Sequence, residues 1–235
     1  MTRLLAIALP AMLLGLCLMS AVSADDAPAK ETDEPKPITP EEPIDLFNGK
    51  DLSNWTYDFF AEDAKPSDIF RVEDGVIKNA GRPVAVLRTK ASYADYEIEV
   101  QWRWPGKGGN SGLLIHCSTP RERNIWPKSL EVQLAANNAG DFWVIGEAVK
   151  VKDAETRTKG RRTINYTDGS EHELGEWNTM IVQAHGDRVK VFVNGTLVNE
   201  AWGCSASSGA ICLQAEGTPI EYRKVQLRPL PKAVE

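Results

Sequence analysis

A run of strict alternation at residues 96–104 constrains the fold more than any other feature of the sequence. Aromatic or aliphatic side chains take every second position, and charged or amide side chains lie between them: Tyr96, Ile98, Val100, Trp102 and Trp104 against Glu97, Glu99, Gln101 and Arg103. A period of two places the two sets on opposite faces of an extended strand. The run therefore predicts a strand with one face on an apolar core and the other in contact with water.

Short strand-like segments recur along the chain and are separated by turn residues. Asp74-Gly75, Asn194-Gly195 and the segment 185–187 each lie between two apolar runs, which indicates tight β-hairpins. We find no internal repeat and no long amphipathic helix after the N-terminal segment. About a dozen strands, with a turn roughly every ten residues, predict an all-β fold, an antiparallel two-sheet jelly-roll sandwich over residues 44–231.

The N-terminal 24 residues are organised as a secretory signal peptide. Arg3 precedes the apolar run 4–22, and small residues at 22–24 permit cleavage after Ala24. We therefore expect a secreted or periplasmic protein that keeps no membrane segment after cleavage. Two alternatives stay open, an uncleaved membrane anchor and acylation of Cys17 as in a lipoprotein.

Residues 25–43 form a predicted acidic, proline-rich linker, since this segment contains five prolines and seven acidic residues. Proline stiffens such a chain and charge keeps it solvated, so we expect a spacer rather than a folded element. The whole chain carries a formal net charge of −6. That balance argues against a nucleic-acid partner, because nucleic-acid binding requires a basic face.

Three cysteines remain if the leader is removed, namely Cys117, Cys204 and Cys212. An odd number in an exported chain leaves at least one thiol without a partner in the same chain. Cys204 and Cys212 flank the turn-rich segment 205–209 and are candidates for a disulfide across a hairpin. Cys117 ends an apolar strand and is expected to be an inert buried thiol.

The segment 108–144 contains the densest group of polar candidates for a site. Glu131 and Gln133 are two positions apart, so both project from one face of a strand and Val132 projects from the other. Sandwich proteins bind sugars with acids, amides and aromatic rings on a sheet face, because rings cover C–H surfaces and polar groups bind hydroxyls. We therefore expect a carbohydrate partner, and the candidates for substrate contact are Arg103, Asn110, Trp126, Lys128, Gln133, Trp143 and Gln214.

Glu131 is the candidate general base or acid, although a surface salt bridge is the simpler interpretation of a single carboxylate. An ordinary glycosidase needs a second carboxylate, and position 133 on the same predicted strand is Gln. His116 ends the predicted strand 113–117 and is expected to share a sheet face with Glu131. The two residues could form an acid–base pair or contribute to a divalent-metal site, so the cofactor stays open.

Eight short motifs follow one another in an order that resembles one known family. They are LFNGKDLSNW (46–55), FRVEDGVI (70–77), YEIEVQWRW (96–104), GGNSGLLI (108–115), EVQL (131–134), GEWN (175–178), VFVNG (191–195) and ICLQAEGTPIEYRKVQLRPL (211–230). Together they resemble the 3-keto-disaccharide hydrolase domain family, which is similar to the concanavalin-like lectin and glucanase sandwiches. Members of that family often carry Arg just after the GNSGxxx run, where this chain has His116.

The resemblance implies a substrate that is oxidised to a ketone at C3 of a sugar ring. A C3 ketone acidifies the proton on C2, so a single base can start β-elimination of the C1 leaving group, and water can then add. The resemblance implies Glu131 as that base and His116 as a proton donor or metal ligand. Enolate stabilisation would fall to Arg103, Lys128 or a metal. The side chains that would hold sugar hydroxyls are Asn110, Gln133 and Gln214.

Two other hypotheses stay open beside this hydrolase or lyase. A non-catalytic carbohydrate-binding module would use the same sheet face, with Trp126 and Trp143 as its aromatic surface. An interaction domain displayed on its linker would instead present a broad apolar patch and no deep cleft. The identity of the sugar, its linkage and the oligomeric state also stay open at this point.

Overall fold

The computed structural model describes residues 35–167 and 169–231. The predicted signal peptide and the linker residues before 35 lie outside these described residues. In chain order the strands are β1 (Ile44–Asp45), β2 (Trp55–Phe59), β3 (Phe70–Glu73), β4 (Val76–Asn79), β5 (Ala85–Thr89), β6 (Tyr93–Ala94), β7 (Tyr96–Arg103), β8 (Gly112–Cys117), β9 (Ser129–Gln133), β10 (Phe142–Ile145), β11 (Lys150–Val151), β12 (Thr158–Lys159), β13 (Arg162–Thr163), β14 (Asn178–His185), β15 (Arg188–Val193), β16 (Thr196–Trp202), β17 (Ser208–Ala215) and β18 (Ile220–Arg228).

The strands form two antiparallel sheets of nine strands each. Sheet I has the order β11-β16-β15-β14-β7-β18-β4-β3, with β1 also paired to β18. Sheet II has the order β12-β13-β10-β9-β8-β17-β5-β2, with β6 also paired to β17. The predicted all-β, two-sheet jelly-roll sandwich is confirmed.

The core lies between the two sheets and is filled from both by alternating side chains. The even-numbered residues of β7, such as Val100 and Trp102, are fully buried and meet Leu113 and Val132 of sheet II in one apolar cluster. Burial of this apolar area is the main source of stability for such a fold. The strand predicted at 96–104 is therefore confirmed, with its apolar face on the core.

Turn chemistry sets the hairpins as predicted. Asp74 and Gly75 both have positive φ, of 52° and 71°, and join β3 to β4. Asn194 and Gly195, with φ of 48° and 83°, join β15 to β16 in the same way. Two successive positive φ values match the right-handed twist of the paired strands.

Helices are minor elements of the described chain. They are α1 (Pro66–Ile69) and α2 (Ala154–Arg157), of four residues each. Among the described residues, no helix has the length and apolar character needed to cross a membrane.

The folded domain includes part of the predicted linker. The Ile38 amide donates to Ser92 O (2.9 Å), and the Ala94 amide donates to Ile38 O (3.1 Å). Backbone pairing of this kind holds residues around Ile38 against β6. The folded part therefore begins before the predicted boundary at residue 44.

A long connection covers part of the outer face of sheet II. We call residues 118–128 the strap. Arg88 donates to the carbonyl of Ser118 (3.1 Å), and Arg121 forms an ion pair with Asp58 of β2 (2.5 Å). Ile125 of the strap is buried in a second apolar cluster that lies outside the main core and also contains Val86, Leu114, Cys117, Ile145, Ala210 and Cys212. The strap thus closes one end of this face and leaves the other end to polar side chains.

The predicted Cys204–Cys212 disulfide is wrong, because all three described cysteines are free thiols. Cys212 lies inside β17 and is buried in the second cluster beside Cys117, whereas Cys204 packs at the margin of the main core. Cys204 therefore lies on the core side of sheet II and Cys212 on its outer side, so the short turn between them does not bring their sulfur atoms together. Cys117 is buried, as predicted, and burial raises the pKa of its thiol.

Candidate active site

Three neighbouring strands of sheet II build a polar cradle on the outer face. Glu131 of β9 pairs with Leu114 of β8, and Gln133 pairs with Gly112. A Cβ placed on Gly112 would lie 2.6 Å from Gln214 Oε1 and 2.7 Å from Glu131 Oε1. Only glycine therefore leaves room for the Glu131 and Gln214 side chains to converge above β8. We call this group the Gly112 cradle.

Glu131 lies on the side of β9 that faces away from the main core. Leu130 and Val132 project into the core cluster, and Glu131 alternates with them. The side chain is nevertheless only 6% exposed. Burial raises the pKa of its carboxyl to about 8, and the negative charge of Glu216 adds to this effect; the Gln214 amide and the Arg161 guanidinium act in the opposite direction.

Several buried polar atoms around the cradle have no hydrogen-bond partner among the described residues. Gln133 Nε2 donates to Asn110 Oδ1 (2.6 Å), but Gln133 Oε1 is unpaired. The Gln214 amide, at 1% exposure, forms no well-directed hydrogen bond and lies against the Glu131 carboxyl, whose pKa it lowers, and the indole Nε1 of Trp143 is also unpaired. Buried polar groups are nearly always paired in folded proteins, so a group of exceptions on one face points to a polar ligand.

Trp143 and Arg161 complete the cradle on the β10 side. Trp143 is the β10 partner of Glu131 in the antiparallel register. The Arg161 guanidinium lies 5.2 Å from the centre of the Trp143 ring. Arg162 is held elsewhere, because it forms an ion pair with Asp141. Arg161 is therefore the cation that could stabilise negative charge beside Glu131.

Trp126 approaches this face from the strap. Its ring packs against the second apolar cluster, which includes Leu114, the β8 partner of Glu131. The structure thus brings together, on one side of sheet II, the predicted site residues Asn110, Trp126, Glu131, Gln133, Trp143 and Gln214.

The prediction that His116 shares a face with Glu131 is wrong. β8 contains a β-bulge, where the register with β17 shifts between Ala210 and Cys212, and His116 has a positive φ of 55°. A bulge inserts one extra residue and reverses the side on which the next side chains project. The imidazole therefore points to the core side, where it meets Tyr96 edge-on with ring centres 5.9 Å apart.

His116 is consequently a buried neutral residue and not a partner of Glu131. Its Nδ1 donates to Ala206 O (3.1 Å), and only 1% of the residue is exposed. Burial lowers the pKa of the imidazole to about 4. The catalytic role predicted for His116 has no support in this geometry.

Arg103 and Lys128 are also not brought to the cradle. Arg103 lies on the outer face of sheet I, where it forms an ion pair with Glu221 (2.6 Å) and covers the Trp177 ring. Lys128 precedes β9 on its core-facing side and lies 3.7 Å from Glu147. The sequence could not exclude Arg103, because it does not show which sheet carries each strand.

A metal bound by His116 and Glu131 does not fit these positions, since the two side chains lie on opposite sides of sheet II. Among the described residues, no group of three or more His, Cys, Asp or Glu side chains is arranged to hold a metal ion. We therefore assign no metal-bound step to the cradle.

Two charged residues of the site were missed by sequence analysis. Glu216 follows β17 directly, and its pKa is raised by burial. Arg161 belongs to the charged segment 146–162, which has no periodicity that would place its side chains. The sequence signal for Glu216 was its position directly after the strand that carries Gln214.

A two-sheet sandwich with a buried carboxylate and amide groups on one sheet face is the arrangement expected of a carbohydrate-active domain. The particular family follows from a match over most of the chain. The chain belongs to the 3-keto-alpha-glucoside-1,2-lyase-like domain family, whose model matches residues 42–228. The resemblance drawn from the eight motifs is confirmed. No curated protein matches the chain.

Solved structures show the same fold at low sequence identity. A candidate glycosyl hydrolase from Parabacteroides distasonis is 23% identical, with a TM-score of 0.58 over 81% of this chain and 95% of that one. The carbohydrate binding module CBM66 from Bacillus subtilis is 13% identical, with a TM-score of 0.52 over 74% and 94%. The kappa-carrageenase from Pseudoalteromonas carrageenovora, solved with an oligotetrasaccharide of kappa-carrageenan, is 12% identical, with a TM-score of 0.52 over 79% and 92%.

Proposed function

We propose that this domain cleaves 3-keto-glycosides by abstracting the proton on C2, with Glu131 as the base. The observation that carries the proposal is the buried Glu131 carboxyl, whose pKa is raised to about 8, at the centre of the unpaired polar atoms of the Gly112 cradle. A carboxylate with a raised pKa is a stronger base than an ordinary surface glutamate. Membership of the 3-keto-alpha-glucoside-1,2-lyase-like family supports the same chemistry.

The reaction proceeds in two electron-pair movements. Glu131 takes the C2 proton, and the C2–H electron pair forms the enolate of the C3 ketone. The enolate then re-forms the carbonyl, a C1–C2 double bond appears, and the C1–O bond breaks with its electron pair leaving on the aglycone oxygen. That oxygen must take up a proton, and later addition of water across the double bond would complete a hydrolysis.

The other cradle residues have distinct roles in this proposal. Arg161 stabilises the negative charge of the enolate, because it already lowers the pKa of Glu131 through space. Glu216, whose pKa is also raised by burial, supplies the proton to the leaving group. Gln133 Oε1, which is unpaired, and the Gln214 amide hold hydroxyls of the ring, and Trp143 donates from its indole Nε1.

A second candidate is a two-carboxylate glycosidase, favoured by the electrostatic effect of Glu216 on Glu131. Such an enzyme would cleave unoxidised glycosides, since it needs no ketone to acidify C2. A binding module without catalysis is the third candidate and uses the same unpaired amides.

Incubation with a 3-keto-glucoside and with its unoxidised parent separates these candidates. We expect aglycone release from the 3-keto compound alone, with solvent deuterium entering C2 of recovered substrate, and the same result with and without chelator. Glu131→Gln should lower the rate by at least about 10²-fold, whereas Glu155→Gln on α2 should not change it. Cleavage of the parent glycoside would favour the glycosidase, and saturable binding without cleavage would favour the binding module.

We also infer that the protein is exported, on the basis of the signal-like residues 1–24. Mass spectrometry of the protein recovered from its native host tests this inference. A mature chain that begins at Asp25 is expected, and an intact N-terminus or a lipid-modified Cys17 would contradict it.

A further inference from the structure

A cavity separate from the Gly112 cradle lies at the end of the sandwich beyond Asn110. Its volume is about 740 Å³, which falls within the range of small-molecule sites. The floor is formed by Gly108, Gly109 and Ala136, and one wall is formed by Trp104. The opposite wall is the segment 169–174. None of these residues belongs to the Gly112 cradle.

Trp104 lines this cavity and carries an unpaired donor. The residue is 2% exposed, and its indole Nε1 has no hydrogen-bond partner among the described residues. The Trp104 carbonyl accepts from the amide of Gly175 (3.0 Å), which ties the outer wall to the end of β7. A buried indole N–H normally finds a partner, so this one is available to a ligand that carries an acceptor.

The outer wall supplies hydrogen-bond acceptors and negative charge. Glu171 is partly buried, burial raises the pKa of its carboxyl, and it accepts from the amide of Ala139 (3.3 Å). His172 Nδ1 donates to Trp177 O (3.0 Å), which leaves Nε2 as an acceptor in the neutral ring. Glu173 adds a second carboxylate.

The charge of this lining selects among sugars. No Lys or Arg is present among the described residues that line the cavity. A uronate or a sulfated ring would therefore meet carboxylates without a compensating cation, which is unfavourable in a partly buried site. A neutral ring is compatible with both walls, because its hydroxyls can donate to Glu171 and accept from Trp104.

The backbone of residues 108–112 connects the cavity floor to the Gly112 cradle. Backbone pairing continues beyond β8 and β9, because Leu134 N donates to Ser111 O (2.9 Å) and Ala136 N donates to Gly109 O (3.0 Å). Gly108 is four residues from Gly112 on this extended chain, or about 13 Å. A saccharide longer than one ring is needed to occupy both the cradle at Gly112 and the cavity floor at Gly108.

We propose that this cavity is a distal saccharide subsite, which binds a neutral ring of an oligosaccharide whose reacting end lies in the Gly112 cradle. The proposal rests on the proposed function for the position of the reacting ring. The cavity itself binds its ring through Trp104 Nε1, Glu171 and His172.

Calorimetric titration with unoxidised saccharides tests the subsite without turnover. The probes are glucose and neutral gluco-oligosaccharides up to the hexasaccharide, with malto-, cello- and laminari-type linkages. We expect affinity to rise with chain length. Glu171→Gln and Trp104→Phe should each reduce the affinity ratio of hexasaccharide to disaccharide by about fivefold, as expected for loss of one hydrogen bond in a site. Glu176→Gln, on the same segment but outside the cavity lining, is the matched control and should keep the ratio.

A ¹⁵N-labelled sample supplies an independent readout. The indole N–H signal that disappears in Trp104→Phe should shift with the hexasaccharide and stay in place with glucose. If Trp104→Phe does not fold, Glu171→Gln carries the test alone.

Several outcomes overturn the subsite. They are affinity that does not change with chain length, an effect of Glu176→Gln equal to that of Glu171→Gln, equal affinity for oligogalacturonate, and calcium binding that displaces the saccharide. Turnover of a 3-keto-disaccharide, measured in parallel, reports on the proposed function alone. Loss of turnover with retained length dependence would refute that function and leave the subsite standing.

Discussion

At the scale of single residues, burial makes Glu131 a carboxyl that keeps its proton at neutral pH. Its pKa of about 8 arises first from loss of hydration and then from the charge of Glu216. A base must lose its proton before it can act, so the protonation of this residue sets the pH range of any reaction that it starts.

We predict that kcat/KM for a 3-keto-glycoside rises with pH, with an apparent pKa near 8 in the free enzyme. Glu131 is the group that ionises, and only its carboxylate form removes the C2 proton. Rates measured from pH 5 to pH 10 check this dependence. A profile that falls through the same range would assign Glu131 as an acid instead.

Glu131 also makes the folding stability fall as the pH rises. An unfolded chain loses this proton near pH 4.5 and the folded chain loses it near pH 8. The folded state therefore binds more protons between these values, and its stability falls as the pH rises. At about 1.4 kcal/mol for each pKa unit, the penalty at pH 9 reaches as much as about 5 kcal/mol.

Glu131→Gln should therefore be more stable than the native protein at pH 9 and similar to it at pH 4.5. The amide keeps the shape of the side chain and carries no charge to bury. Urea unfolding at the two pH values measures the difference. Equal gains at both values would show that charge burial is not the cause.

At the scale of elements, β8 and β9 explain which parts of the site could be predicted. β9 is regular, so alternation alone placed Glu131 and Gln133 on one face. β8 carries a bulge at His116 that depends on a positive φ and on pairing with β17, and neither is visible in local periodicity. Arg161 lies in a segment whose short strands are fixed by tertiary pairing rather than by pattern.

Gly112→Ala tests the element that shapes the cradle. The added Cβ would come within 2.7 Å of the Glu131 and Gln214 oxygens and push both side chains apart. We expect turnover to fall by about 10–10²-fold, because small displacements of catalytic groups are costly. Gly106→Ala is the matched control, since a Cβ there meets nothing within 4 Å. Far-ultraviolet circular dichroism of both variants checks that the sheets are intact.

At the scale of the whole molecule, the buried groups His116 and Glu131 have opposite effects on how folding stability depends on pH. His116 has a folded pKa of about 4, below its ordinary value of 6.5, so the folded state binds fewer protons between these values. Its contribution to stability is complete above pH 6.5 and is lost as the pH falls towards 4. Glu131 acts in the opposite sense over the shared range from pH 4.5 to 6.5.

We predict that Glu131→Gln exposes the histidine effect. In this variant, stability should decline by about 3 kcal/mol from pH 6.5 to pH 4, at about 1.4 kcal/mol for each pKa unit. Adding His116→Asn should remove that slope, because Asn tolerates a positive φ and does not titrate. Denaturant unfolding across this range measures the slopes, and an unchanged slope in the double variant would assign it to another group.

The bulge at His116 also determines which side of sheet II each position of β8 faces. Gly112 and Leu114 face the outer side of sheet II, whereas His116 faces the Tyr96 ring in the interior. An exchange at position 116 therefore changes what is packed between the sheets and leaves the ligand side as it was. His116 is therefore a residue of the interior packing, and the arrangement of the Gly112 cradle does not include it.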